Sequence, residues 1–498
     1  MTELDALRAE NALLREQLGG VVEIGIALSA QHDLKSLLAT ILSKARWLAC
    51  ADAGSLYLVE GDRRDRLRFV LAQNDSCAVP FAETVLDIDS RTIAGHVART
   101  RSALNLADVY TLPAEAGYSY SPEFDRQVGY RCKSMLVVPM IDRRDRVAGC
   151  IQLINCKPDR DLRLCSPDDA ERWVRPFPEP LVPLLQSIAS QSAVAIDKAR
   201  LIDDLERTFD GLVHAAVVAI EARDPATSGH SVRVAELSTA IADAINERPP
   251  PSLRELRFSP AQIKELRYAG LLHDFGKVGV REQVLVKSRK LYPWELAAVQ
   301  LRFAAAMSQR AADAAQLRRL LDAVNAASEP RPLSATAAAA LDELQRETYL
   351  AVDGSVQPLL TPSELADLRI ERGSLNVEQR REIESHVVHS YRFLSRIPWT
   401  EELRELPRIA GAHHERLDGS GYPNGLRAPD ILPQSRIMAV ADIFDALTAI
   451  DRPYKKAMAV DRALDVLDQE VRDGHVDGDI VALLRERQLY RSVLPERT

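Results

Sequence analysis

The stretch LRYAGLLHDFGK, residues 266–277, places two ionisable side chains at the end of an apolar run. Leu266, Ala269, Leu271 and Leu272 recur at helical spacing, so the stretch reads as a buried helix that ends on His273 and Asp274. A buried imidazole with one hydrogen bond is ordinary. A buried His beside a buried Asp is costly unless the two are paired or bound to a metal. The same holds for Asp442, set with Asp445 in the apolar run AVADIFDAL (439–447), and further imidazoles cluster in GHS (229–231) with His230, in ESHVVH (384–389) with His386 and His389, and in HHERLDGSGYP (413–423) with His413 and His414. Eight of the ten histidines lie after residue 210, most of them against apolar helical runs. Any one of these residues suits an ordinary core; all of them in one segment do not. Imidazole nitrogens and carboxylate oxygens without thiolate favour iron, manganese or zinc. An aspartate can bridge two ions, and two ions about 4 Å apart suit phosphodiester hydrolysis. Lys277, one turn from His273 and Asp274, is placed to meet a phosphate as a compact charge; as a bland alternative, it complements a helix C-terminus.

The bulk composition bounds the rest. At 498 residues the chain is too long for one core, and 46% hydrophobic with 27% charged residues is the balance of a soluble globular protein. A net charge of -8 argues against binding to a nucleic-acid polymer, which asks for a basic footprint. No run approaches the ~20 apolar residues of a membrane span. The start, MTELDALRAE, lacks the apolar core of a secretory signal, so a cytoplasmic location is expected. The six cysteines, Cys50 to Cys165, form no CxxC pair and read as reduced thiols. All precede residue 170, a compositional break that hints at a boundary.

Residues 1–20 carry a short heptad through Leu4, Leu7, Asn11, Leu14 and Leu18, the seam of a two-stranded coiled coil. From 21 to 178 the pattern changes to helices over 22–52 and then short β-rich runs: SLYLVE (55–60), LRFVLAQ (67–73), SMLVVPMI (134–141) and AGCIQLIN (148–155). The turn DRRDR at 142–146 makes a hairpin of the last two. Helices flanking a mostly antiparallel sheet make an α+β domain. Residues 179–222 read as one long helix with apolar residues at Leu184, Ile188, Ala195, Ile202, Leu205 and Leu212. Its part over 179–210 suits transmission along a parallel homodimer, or simple packing.

The α+β segment resembles a GAF domain, a small-molecule sensor module, through SLYLVE, FDRQVGYRCKSMLVVPM (124–140) and GCIQLINCKPD (149–159). LINCK, with Asn155 and Lys157, is similar to the start of the signature of cyclic-nucleotide-binding members, but SPDDAE (166–171) departs from its remainder. The ligand the resemblance implies is therefore a cyclic nucleotide, another small molecule, or none.

Residues 211–498 resemble an HD-GYP domain, the cyclic di-GMP phosphodiesterase variant of the HD superfamily. AIEARDPATSGHSVRVAEL (219–237), LLHDFGKVGV (271–280), HHERLDGSGYPNGL (413–426) and RIMAVADIFDALTAIDRPYKKA (436–457) carry the resemblance, in order. It implies an all-helical bundle around two divalent metal ions, iron or manganese, with zinc possible. His230, His273, Asp274 and Asp442 would hold one ion, and Asp274 would bridge to a second held by His386, His413 and His414. His386 fits the family frame better than His389, because Ser390 and Leu394 follow it at the family's spacing. Lys277 would contact the scissile phosphate, and Arg452 and Lys455 would hold the substrate's phosphates. Trinuclear members carry a glutamate where this chain has Ala226, which favours two ions. About 80 residues, 293–373, are inserted and read as two Ala-rich helices joined by EPRPL, a lid, a dimer contact or a solvated hairpin. The expected whole is a GAF-regulated cyclic di-GMP phosphodiesterase acting as a homodimer through the N-terminal and linking helices. A non-catalytic cyclic-dinucleotide receptor, or a phosphodiesterase for cyclic GMP-AMP, stands as the alternative.

Overall fold

The computed structural model describes residues 33–494, with Gly19 and Gly25 before them, apart from 62–63, 79–82, 89–90, 225–227, 251–252 and 450–456. The heptad at 1–18 and the pair Arg452 and Lys455 lie outside the described residues. The chain divides into two compact units between Thr208 and Phe209.

The first unit is an α+β layer structure. Helix α1 (Leu34–Ala49) leads into strand β1 (Ala51–Glu60), followed by β2 (Arg66–Asn74), β3 (Thr84–Asp87), helix α2 (Ile93–Thr100), β4 (Leu104–Leu106), α3 (Glu123–Val128), β5 (Met135–Ile141), β6 (Val147–Cys156) and α4 (Pro167–Trp173). The six strands form one antiparallel sheet in the order β3-β2-β1-β6-β5-β4. β5 and β6 are the expected hairpin around residues 142–146. Both faces of the central strands are covered, so β1, β5 and β6 read as nearly continuous apolar runs rather than as alternation. Leu37, Ile41 and Leu42 of α1 cover one face together with Leu185, Ile188 and Ile196. Ile93 and Val97 of α2 cover the other. Asn155 and Lys157 are both used inside this unit. Lys157 Nζ lies 3.1 Å from the buried Asp52, and Asn155 donates to Tyr130 Oη at 3.0 Å.

Helix α5 (Leu181–Glu221) runs 41 residues without a break, close to the expected 179–222. The second unit is mostly helical. It comprises α6 (His230–Glu247), α7 (Pro260–Leu272), a 3-10 turn at Phe275–Gly279, α8 (Glu282–Leu285), α9 (Pro293–Gln309), α10 (Ala314–Ala327), α11 (Ala335–Leu344), the hairpin β7 (Thr348–Leu350) and β8 (Val356–Pro358), α12 (Pro362–Leu368), α13 (Val377–Leu394), α14 (Leu406–Ala410), α15 (Pro433–Thr448), α16 (Val460–Arg472) and α17 (Gly478–Glu486). α7 starts where Ser259, Pro260 and Gln262 form a capping box, and α13 where Asn376 and Gln379 do. The main core joins Leu237 and Ile241 of α6, Leu266 and Ala269 of α7, Leu394 of α13, Ile409 of α14, and Met438, Ala441 and Phe444 of α15.

The inserted segment has a core of its own, built from Val299, Phe303, Leu320, Val324, Leu341 and Leu368. It holds more elements than two helices. The Ala-rich stretch 304–328 breaks at Arg310, whose backbone leaves the helical region at φ -127°, ψ 69°. β7 and β8 pair across Asp353-Gly354, with Gly354 at φ +83°. No helix among the described residues is long and apolar enough to cross a membrane.

Candidate metal centre

Four helical elements and one loop converge on the buried polar groups. α7 ends at Leu272, and His273 and Asp274 lead into the 3-10 turn, which carries Lys277. α6 begins with His230, α13 supplies His386 from its middle, and α15 supplies Asp442. α14 stops at Ala410, so His413 and His414 sit in the turn after the helix rather than at its end. That irregular backbone lets two adjacent imidazoles, 4.1 Å apart between ring centroids, face one place.

The donor atoms fall into overlapping groups: His230, His273 and Asp442; His386, His413 and His414; and, between them, His273, Asp274 and His413. Within each group the atoms lie within 4.8 Å of one another. Asp274 spans the two outer groups. Its Oδ2 is 3.4 Å from His273 Nε2 and 3.9 Å from His230 Nε2, while its Oδ1 is 3.3 Å from His386 Nε2. Asp442 Oδ1 is 3.1 Å from His230 Nε2, and its Oδ2 is 3.8 Å from His414 Nδ1. For metal bonds of about 2.1 Å, neighbouring donors sit roughly 3.0–3.5 Å apart, so the spacings of 3.1, 3.3 and 3.4 Å suit a cation.

The hydrogen bonds behind the rings test the fit. His273, His386 and His413 each place Nδ1 2.6–2.7 Å from the carbonyl oxygen three residues back, Gly270, Ile383 and Ala410. A carbonyl only accepts, so each Nδ1 carries the proton and each Nε2 presents a lone pair. Those three Nε2 atoms are buried with no hydrogen-bond partner. A buried polar atom left unsatisfied costs about 1–3 kcal/mol. Three of them around the one carboxylate of Asp274 suit a cation better than they suit plain packing.

Electrostatics agrees. Burial lowers the pKa of His273 and of His413, the latter also through its imidazole neighbours, and burial takes His414 to about 4. These rings are neutral and ready to ligate at neutral pH. Burial alone would raise Asp274, but Lys277 and the imidazoles outweigh it and hold the carboxyl well below its usual range. Burial also opposes the charge on His230, yet Asp442 and Asp445 prevail and raise it to about 9. At pH 7 the metal-free protein therefore carries a proton on His230 that a cation must displace. Metal binding at pH 7 is expected to release about one proton per chain from this group. Titration calorimetry in buffers of different ionisation enthalpy measures it, and no release would remove His230 from the ligand set.

Lys277 stands beside the donors, Nζ 2.8 Å from Asp274 Oδ2 and 3.0 Å from Asp224 Oδ2. Burial opposes its charge, but the two carboxylates keep it firmly protonated. His389 is not in the cluster; its ring packs against Gly279. Ser390 is buried and bridges two segments, donating to His273 O at 2.6 Å and accepting from Gly276 N at 2.8 Å. In the loop after the histidine pair, Glu415 accepts from Asn424 N and Leu426 N at 2.7 and 2.8 Å, and Tyr422 lies over the His414 ring at 4.8 Å. A Cβ on Gly421 would fall 2.3 Å from Arg416 N, so only glycine lets that loop close back on the pair.

Sequence reasoning named Asp445 without giving it a role and left out three further contributors. Asp445, Arg233 and Asp224 contact site residues directly, and Glu221 accepts from Gly229 N and Ser231 N on either side of His230. Asp445 and Arg233 each lie three residues after a candidate ligand, one helical turn along the same face, which was the available signal. Just beyond α5, Arg223 donates to Val278 O at 2.7 Å, so the end of that helix grips both ligand motifs.

A family model of the GAF domain matches residues 33–196, and two models of the HD domain match 227–349 and 334–480. The chain joins a GAF domain to an HD domain. The first HD match holds His230, His273 and Asp274, the second holds His386, His413, His414 and Asp442, and they overlap inside the insertion. The chain is 26% identical over 267 residues to the 3'3'-cGAMP-specific phosphodiesterase 3 of Vibrio cholerae serotype O1, covering 54% of this chain and 36% of the relative. It is 35% identical over 150 residues to the 3'3'-cGAMP-specific phosphodiesterase 1 of that organism, covering 30% and 33%. It is 27% identical over 288 residues to a probable cyclic di-GMP phosphodiesterase, also from V. cholerae, covering 58% and 46%. The chain thus spans less than half the length of each of these relatives.

Proposed function

We propose that the HD domain, of the HD-GYP type, hydrolyses a phosphodiester bond of a cyclic dinucleotide under control of the GAF domain. The observation that carries this reading is Asp274, whose two oxygens face separate imidazole groups while three buried Nε2 atoms point at the same place. His230, His273 and Asp442 would hold one divalent ion and His386, His413 and His414 another, with Asp274 between them. Iron or manganese, and zinc next, suits this donor set of nitrogen and oxygen without thiolate. Two such ions, when bound, neutralise phosphodiester charge and acidify water.

The chain's own side chains do the rest. Lys277, held protonated by Asp224 and Asp274, offers a fixed positive charge to a non-bridging phosphate oxygen. Arg452 and Lys455 are proposed to hold the substrate's phosphates. The loop over 413–426, shaped by Glu415, places Tyr422 at the edge beside His414, the candidate ligand most open to solvent at 28% side-chain exposure. That edge is where the substrate would enter.

Cyclic di-GMP and 3'3'-cGAMP are the two substrates to separate, because relatives named for each match the chain. The GAF domain has a cavity of ≈ 380 Å³ on one sheet face, lined by Tyr57, Phe69, Tyr120, Tyr130, Cys132 and Gln152. No Arg, Lys or His lines it among the described residues. That lining supports an uncharged ring-shaped ligand over a cyclic nucleotide, whose phosphate would lack a counter-charge. Leu201, Leu205 and Leu212 of α5 are each about two-thirds exposed, which supports a homodimer through this helix.

The test is a hydrolysis assay of the full chain, reloaded with Mn²⁺ or Fe²⁺, on both cyclic dinucleotides. Conversion to the linear dinucleotide is expected, and its loss on chelation. Binding of a cyclic dinucleotide by fully loaded protein with no turnover would replace the enzyme by a receptor.

A further inference from the structure

Among the imidazoles of the centre, His230 is supported differently. His273, His386 and His413 lean on neutral backbone carbonyls. His230 Nδ1 instead lies 2.7 Å from Oδ2 of Asp445, a carboxylate 2% exposed. Arg233 grips that carboxylate with both ends of its fork, Nε to Oδ1 at 2.6 Å and Nη2 to Oδ2 at 3.1 Å. The arrangement is a closed box. His230 and Arg233 are one turn apart on α6, and Asp442 and Asp445 one turn apart on α15. Asp442 meets the outer nitrogen of the ring, Asp445 the inner one.

A carboxylate behind a ligating imidazole fixes its orientation and raises its basicity, and such partners are worth about 10–100-fold in metal affinity. Charge adds to the difference. The group of His230, His273 and Asp442 has a carboxylate of its own and shares Asp274, whereas His386, His413 and His414 have only the shared one. His414 is also the most exposed member, and its Nδ1 lies 3.8 Å from Asp442 Oδ2, beyond hydrogen-bond distance.

We infer that Asp445 and Arg233 are positioning residues that make the His230–His273–Asp442 group bind its cation more tightly than the His386–His413–His414 group, so that the two fill in order. The inference rests on the metal-centre reading above and goes beyond it by ranking the two halves. The second half is then the exchangeable one, and occupancy of that half sets how much protein is competent when divalent metal is scarce.

The experiment is a Mn²⁺ titration of the full, chelator-treated chain, with bound ion counted by electron paramagnetic resonance. Two classes of site are expected. D445N should weaken the tighter class about 10–100-fold and leave the looser one in place. H414A should remove the looser class and leave the tighter one in place. A circular-dichroism melt of each variant shows whether it folds, and H414A tests the ranking even if D445N does not. Two classes of equal affinity, or a D445N protein that folds and binds both ions as before, would overturn the ranking. A wild-type chain that takes up no Mn²⁺, Fe²⁺ or Zn²⁺ would overturn the metal centre itself, and with it the ranking.

Discussion

Replacing Asp274 with asparagine will leave the helical core folded and abolish the proposed phosphodiester hydrolysis. The two side chains are nearly the same size, so the packing of α7 against α6, and of the 3-10 turn against α13, has no reason to change. The charge and the second anionic oxygen are what disappear. Oδ1 faces His386 and Oδ2 faces His273 and Lys277, and a neutral amide cannot serve both halves as an anion does. Its NH₂ end would also point a donor at a cation or at Lys277. Metal-assisted charge stabilisation is worth several kcal/mol of barrier, and each 1.4 kcal/mol is a decade, so a fall in turnover of about 10³-fold or more is expected. Bound metal, measured by plasma emission after gel filtration, should drop by at least one ion per chain. An Asp274→Asn protein that keeps both its metal and its turnover would remove Asp274 from the centre of the mechanism.

Gly276→Ala will act on the fold before it acts on the chemistry. A Cβ built on Gly276 lies 1.9 Å from His386 O and 2.4 Å from Ser390 N, both backbone atoms of α13. No rotamer relieves a contact with backbone. The 3-10 turn and the helix must therefore move apart, breaking the Ser390 bridge between His273 O and Gly276 N and carrying His386 away from Asp274. Overpacking alone typically costs about 1–3 kcal/mol, and losing a buried hydrogen-bond bridge adds to it. A total of about 3 kcal/mol or more is expected, read as a lower midpoint in urea, together with weakened metal binding. A variant with wild-type stability would show that the close approach of turn and helix is not required.

The sequence was most legible where a physical conflict stood in plain view. His273 and Asp274 at the end of an apolar run, and Asp442 inside another, contradict ordinary burial, and that contradiction led to the cluster. The β5–β6 hairpin was legible because two apolar runs flank five polar residues. Other features depended on partners far along the chain. Arg233 meets Asp445 across 212 residues, and Lys277 meets Asp224 across 53, so spacing alone joined neither pair. The hairpin β7–β8 was hidden by strands of three residues, too short to show a period, although Asp353-Gly354 is the turn signal that marks it. How two adjacent imidazoles could share one centre was also out of reach, because the answer lies in the irregular turn after Ala410 and not in a helix.

The grip at the end of α5 bears on where the HD module begins. Glu221, Arg223 and Asp224 fasten the turn before His230, the carbonyls of Val278 and Val280, and Lys277. The matched HD range opens at residue 227, after all three. A fragment cut at that point would keep every candidate ligand and still present a different site, with Lys277 left to lean on Asp274 alone. The working edge of the module is thus inside the helix that precedes it, and a graft of this domain onto another sensor has to bring that last turn along.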